Sequence, residues 1–494
     1  MRCDLATLAQ AAFLGTIFLK AAQPCYAQNE APAPLDQQRL DLLNAKLDRI
    51  RAQMEQSLAE IQDLTNEVQS LRGQAGRGTN ATERSTSGVD ALREEVAAVR
   101  DQTDVLQSEV KQHDQTKVES LSKYPVRISG TLLFTSFLNS GDADDFTLPV
   151  VALPKQMQTP SGSLGFTASQ TVMQIELRGP SVGSAHSHAD LAIDFWGTSN
   201  NSYYAAAAGA VRLRTLHAGL TWEKQALGIA VDRPMFSPVE PSSWLTVAEP
   251  AFAWSGNLWT WLPQVEYARY LLPRHQLDVQ VGIIDTAAPS IYRTSGEPAP
   301  NAAERSRQPG YQARVSTRPL LGDRQATLGA SGYYSRKSYT ANTHVDAWAV
   351  AADWQLPLTR ILDLSGELYR GRAIGGLGGG AFKDYVTSNG APYGLNAAGG
   401  WAEMKFGFTR TLQANLSFGL DNAFARDLAD ADTNTSLNPD YTYLARNQTG
   451  LINVVYRPRS YLLLSPEFRH IVSRSITGQS NMNNVLGIAT GVTF

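Results

Sequence analysis

The last ten residues read Val485-Leu486-Gly487-Ile488-Ala489-Thr490-Gly491-Val492-Thr493-Phe494. Leu486, Ile488, Thr490, Val492 and Phe494 share one parity, and Val485, Gly487, Ala489, Gly491 and Thr493 share the other. Successive side chains of a strand point to opposite faces, so this segment is greasy on one side and small on the other. That suits the closing strand of a membrane barrel, with one face toward lipid and the other toward a lumen. A half-buried edge strand of a soluble sheet alternates in the same way, so the remainder of the chain has to decide.

The opposite end carries Arg2, an apolar stretch from Leu5 to Leu19, and the small-residue cleavage pattern Cys25-Tyr26-Ala27. Residues 1–27 therefore read as a secretory signal peptide. The stretch is short for a membrane span and Lys20 follows it directly. Gln23-Pro24 before Cys25 does not fit lipidation. Cys3 and Cys25 are the only cysteines and both lie in this segment, so the mature chain needs no disulfide and no thiolate-bound metal. Beyond Gln28 no run of about eighteen apolar residues offers a transmembrane helix. A net charge of −3 supplies no field for nucleic acid.

Residues 28–124 are expected to form a periplasmic coiled-coil region. Leu40, Leu43, Leu47, Ile50, Met54, Ser57, Ile61, Leu64, Val68 and Leu71 occupy a and d sites of a heptad repeat within 35–71. A Gly-, Ser- and Thr-rich joint follows at 73–88. A weaker repeat, Val89, Leu92, Val96, Val99, Thr103, Leu106 and Val110, runs through 89–121. A coiled coil needs partners, which points to a homo-oligomer, although these a and d residues do not separate dimer from trimer. A single amphipathic helix folding back on the chain is the alternative.

From residue 125 to 494 the period changes to two. Alternation between turn signals marks sixteen strands, among them 126–138, 163–178, 186–197, 210–222 and 483–494. Short turns such as 223–225, 357–361 and 458–460 alternate with long polar loops such as 139–162, 234–259, 287–307, 374–396 and 428–443. An all-β transmembrane barrel of about 16 antiparallel strands has this layout, whereas a soluble sandwich or propeller does not. Parity turns Glu176, Arg178, Asp190, Asp194, Arg314 and Arg318 toward a wet lumen, because charges there are solvated and in lipid are costly. In the strand from Ala210 the period slips between Arg214 and Leu216, which reads as a bulge and leaves the facing of His217 open. Arg212 and Arg214 are taken as lumenal.

The stretch VRLRTLHAGLTWEKQALGIAVDRPMFSPVEPSSW at 211–244, followed by EPAFAWSGNLW at 249–259, resembles the DcaP-like trimeric outer-membrane porins. So does the order of signal peptide, heptad segment and barrel. The resemblance implies a trimer with a periplasmic coil and a pore that favours small, often anionic solutes through arginines near its constriction. Arg212, Arg214 and Arg233 are the positions it supports here. The next segment, with Trp259 and Trp261, adds no basic residue.

The loop Pro234–Trp259 is the expected constriction. It carries Glu240 and Glu249 as its only charges, with Trp244, Phe252, Trp254 and Trp259, a set of rings with no reason to face water. Packed inside the barrel they would narrow a channel; as an interface girdle or subunit contact they would lie outside. His186-Ser187-His188 lacks a third metal ligand, and Gly375–Gly380 lacks the lysine of a phosphate loop. No catalytic constellation or cofactor motif emerges. The reading is a passive diffusion porin of the Gram-negative outer membrane, with lipid, small hydrophilic solutes and the barrel-assembly machinery as partners, the last engaging Phe494. The alternative is an outer-membrane anchor whose coil tethers the membrane to the cell wall.

Overall fold

The computed structural model describes residues 124–155, 158, 160–197, 209–272, 276–286, 300–340, 342–429, 431 and 444–494. The expected signal peptide and both heptad segments lie outside the described residues.

Sixteen antiparallel strands close into a barrel. They are β1 (Val126–Asn139), β2 (Ser163–Thr167 with Val172–Val182), β3 (Ala185–Gly197), β4 (Ala210–Thr221), β5 (Gln225–Asp232), β6 (Leu262–Leu271), β7 (Leu277–Ile284) and β8 (Gly310–Thr317). The circuit continues through β9 (Thr327–Thr340), β10 (Thr343–Pro357), β11 (Leu362–Arg372), β12 (Asn396–Gly407), β13 (Leu412–Ala423), β14 (Leu444–Arg459), β15 (Leu462–Ser475) and β16 (Ser480–Thr493). Each strand pairs with its sequence neighbours, and β16 returns to β1 with Leu132 opposite Val492 and Leu138 opposite Leu486. Among the described residues every strand of the circuit has a partner strand on both sides, which is how a sheet survives without water to satisfy its backbone; only the Ala210–Thr215 half of β4 runs past the end of β5.

The closing strand behaves as its alternation demands. Leu486, Ile488 and Val492 project outward and are exposed, while Val485 and Ala489 are buried on the inner face. Leu132, Phe134 and Leu138 extend the same apolar exterior across β1, with Thr135 and Asn139 turned in. The loop-length alternation is less strict than expected. The connections β9 to β10 and β15 to β16 are tight, because those strands run on to form hairpins instead of stopping at long loops.

β2 is one strand broken in two. Its first half pairs with the end of β1 and its second half with the start of β1, and residues 168–171 between them leave the ladder. Thr171 N–H donates to Ala168 C=O at 3.1 Å, and the Thr171 hydroxyl accepts the N–H of Leu133 at 3.0 Å. The break aims Gln170 into the barrel, where it is almost completely buried.

Candidate constriction and charge cluster

β5 stops at Asp232, short of its neighbours, and the chain leaves the wall at mid-height to enter the barrel. The segment from Pro234 to Trp259 crosses the interior and bonds to the opposite wall. The Ser237 hydroxyl donates to Glu367 of β11 at 2.6 Å. Ser242 donates from its backbone and its hydroxyl to the two Glu403 oxygens of β12, at 2.8 and 3.0 Å. The Ser243 hydroxyl donates to Glu467 of β15 at 2.6 Å. Asn453 and Asn447 of β14 donate to the carbonyls of Ser242 and Trp254, at 2.8 and 3.0 Å. On the other side Gln170 donates to Leu245 C=O at 2.9 Å and accepts the N–H of Val247 and Ala248. Buried carboxylates are costly without hydrogen-bond donors, and here the loop supplies one donor each to Glu367 and Glu467 and two to Glu403.

The rings of this loop lie inside the barrel. Phe252 packs along Trp401 of β12 at 6.3 Å between centroids. Trp254 stacks on Phe382 at 4.0 Å, and Trp259 meets Trp254 and Trp261 edge to face. Phe252 and Trp254 both adopt left-handed backbone, at φ 61° and 60°. Side chains this large rarely take that region, and they hold it only where surrounding contacts over-determine them. Trp244 faces Arg457 of β14, with the guanidinium 5.2 Å from the ring centroid.

A second loop, between β11 and β12, folds in beside it. Gly378, at φ 101°, leaves no room for a side chain, since a Cβ there would lie 2.8 Å from the Trp259 ring. Lys337 of β9 donates to Asp384 of this loop at 2.6 Å and to Ala373 C=O at 2.9 Å, with both side chains fully buried. The glycine run at 375–380 thus serves close loop packing.

Opposite the carboxylate-bonded end of the first loop, β3 and β4 present the charge cluster. Ala192 pairs with Thr215 and Ile193 with Leu213, so Arg214 is the extra residue of a β-bulge. The bulge reverses the parity of β4 between its two ends, which lets Arg212 and Arg214 both turn inward while His217 also faces in. Arg212 binds Asp194 through two hydrogen bonds, 3.0 and 2.6 Å, and donates to Ala248 C=O of the loop at 2.6 Å. Both arginines lie over the Trp261 ring, at 5.2 and 5.0 Å. His217 sits with its two ring nitrogens 2.9 Å from carboxylate oxygens of Asp190 and Asp232.

The residues selected from sequence fall into three groups. Asp194, Arg212, Arg214, Arg233, Glu240 and Glu249 gather around the inward loop. Arg233 donates to Val239 C=O and approaches Glu240 at 4.0 Å, so it props the loop's own backbone. Glu176 and Asp190 are register partners nearer the short-turn rim, and Arg178 lies there opposite His188. Arg314 faces inward with its charge taken by Asp353 at 2.7 Å, and Arg318 pairs with Asp278. Gln170 and Glu367, which pin the loop, were not selected, because a single glutamine or glutamate in an alternating strand carries no sign of what it will bond.

Burial, reinforced by Asp144 and opposed by Arg212, pushes the Glu249 carboxyl up from 4.5 to about 7. Burial likewise pushes Asp144, in the loop after β1, up from 3.8 to about 6, although the N–H groups of Val151 and Val150 favour its ionised form. Among the described residues no group of three His, Cys, Asp or Glu side chains could hold a metal ion.

An apolar exterior, a polar interior and a closed sixteen-strand sheet define a transmembrane β-barrel of the outer-membrane type. Its fold matches that of the outer membrane channel DcaP of Acinetobacter baumannii, with a TM-score of 0.59, 18% identity, and coverage of 76% of this chain and 99% of that chain. The anion-selective porin from Comamonas acidovorans is more distant, at TM-score 0.46 and 11% identity over 75% of this chain and 100% of that one. OprB of Pseudomonas putida stands at TM-score 0.45 and 10% identity, over 74% and 94% of the two chains. These likenesses are of fold. No protein-family model and no curated protein matches the chain.

Proposed function

We propose that the chain is a passive porin of the Gram-negative outer membrane, conducting small hydrophilic solutes between the loop Pro234–Trp259 and the wall of β1, β2 and β4. The observation that carries this reading is the space the loop leaves beside it. Although bonded to β11, β12 and β15, it borders a cavity of about 380 Å³ lined by Thr131, Gln170, Arg214, Glu240 and Trp244. A wall of fixed charges around a narrow wet passage biases which ions cross and does no chemistry. Arg212 and Arg214 supply the anion-favouring side of that bias, and Glu240 and Glu249 oppose it. The heptad pattern supports a homo-oligomer, and the resemblance to trimeric porins makes a homotrimer with a periplasmic coil the proposed assembly.

Purified protein reconstituted into planar bilayers is expected to give discrete single-channel steps. Their absence across preparations that retain the folded, heat-modifiable gel mobility would sink the porin reading.

A further inference from the structure

The inward loop borders a second chamber on its short-turn side. This space, about 350 Å³, is lined by Lys405, Arg410, Gln413, Arg457 and Trp244. Lys405 lies near the end of β12, Arg410 sits in the turn from β12 to β13, and Arg457 is near the end of β14, so two strands and the turn between β12 and β13 deliver cationic side chains to one volume. Glu403, the carboxylate beside it, is buried, and both of its oxygens are engaged by Ser242, with Lys405 at 3.6 Å. The chamber therefore carries an excess of positive charge. Trp244 and Ser242 line this chamber and also the larger cavity that holds Arg214 and Glu240, so the two residues stand between them. Arg457, also in the lining, lies over the Trp244 ring 5.2 Å from its centroid, a third cation at the same indole.

We infer that this chamber is a binding subsite for planar aromatic carboxylates, the ring resting on Trp244 and the carboxylate held by Lys405 and Arg410. The inference rests on the porin reading. Its chemistry is separate from the charge cluster on β3 and β4, where Asp194 neutralises Arg212 at 2.6 Å. A flat apolar body beside a cation pair is matched by an aromatic acid, because the ring gains stacking area and the carboxylate gains charge-assisted hydrogen bonds. An aliphatic acid of equal charge gains only the second. Volumes of this size suit ligands of one or two rings.

The test is blockade of the chloride current through single reconstituted channels by benzoate, with cyclohexanecarboxylate and benzyl alcohol as comparators. Benzoate is expected to produce concentration-dependent flicker, and each comparator should need roughly tenfold more, having lost either the ring contact or the charge contact. The Lys405→Gln/Arg410→Gln double variant and, separately, Trp244→Leu are each expected to weaken the benzoate block roughly tenfold. Each block is read against that variant's own open-channel current, so a misfolded variant is recognised by giving no current. Equal blockade by benzoate and cyclohexanecarboxylate, or undiminished blockade in both variants, would overturn the subsite while leaving the porin standing. Absence of any channel current would instead strike the porin reading itself.

Discussion

The Arg212 guanidinium grips the Asp194 carboxylate through Nε and Nη2, and the same Nη2 also donates to Ala248 C=O on the inward loop. One side chain thus ties two wall strands to the loop that crosses the barrel. Asp194 is fully buried, so it cannot trade Arg212 for water.

Removing either side of this pair should move ion selectivity in opposite directions. Arg212→Ala with Arg214→Ala should shift the reversal potential in a KCl gradient toward cations. Asp194→Asn should shift it toward chloride and cost about 1.5–3 kcal/mol of stability, the worth of a hydrogen bond to a charged group. Both shifts should shrink near 1 M salt, where screening acts within about 3 Å. Shifts of the same sign in the two variants would contradict the proposed role of the cluster.

Selectivity should also depend on pH. The carboxyls of Glu249 and Asp144 are held up at about 7 and about 6, so both are neutral at pH 5 and both ionised at pH 8. Raising the pH adds negative charge beside Arg212, and the chloride preference should fall across that window. Glu249→Gln should remove the upper part of the change. The stability sign follows from the same shifts. A carboxyl raised by folding contributes most below its unfolded value near 4, and that contribution is lost as pH rises through 6 to 7. Heat-modifiability on gels at pH 5 and pH 8 checks the second statement, and reversal potentials check the first.

Gly487 should be intolerant of a side chain. A Cβ there would lie 2.3 Å from Leu245 Cδ2 and 2.9 Å from the Ser136 carbonyl, between the closing strand and the inward loop. Gly487→Val should cost about 1–3 kcal/mol as overpacking does, and should raise conductance by displacing the loop. Adding Leu245→Ala should recover part of the stability. A Gly487→Val channel with native conductance would show that the loop does not need that contact.

Lys337 and Asp384 form an ion pair with no exposure on either side. Lys337→Met strands a buried carboxylate and should destabilise the refolded barrel by about 3–5 kcal/mol, whereas Lys337→Met with Asp384→Leu should be much nearer the native value. Thermal unfolding in detergent, read as a double-mutant cycle, measures the coupling. Equal losses in the single and double variants would mean that the loop is held by packing alone.

The barrel itself was legible in the chain because strand parity is a local property. Leu486, Ile488 and Val492 had to share a face whatever they met, and the structure turns that face outward beside Leu132 and Phe134. The bulge in β4 was legible for the same reason, since a slipped period between Arg214 and Leu216 is visible without a partner strand. Tertiary structure alone decided what the inward charges bond to. Glu403 and Glu467 turn inward as parity requires, but Ser242 and Ser243, far away in sequence, occupy them. Parity says which face a residue takes. Only the crossing of the loop says whether that face meets water, a solute or another part of the chain. Gln170 makes the same point from the other side: nothing in its neighbours announces a broken strand, because the break is stabilised by Leu245, Val247 and Ala248 across the barrel.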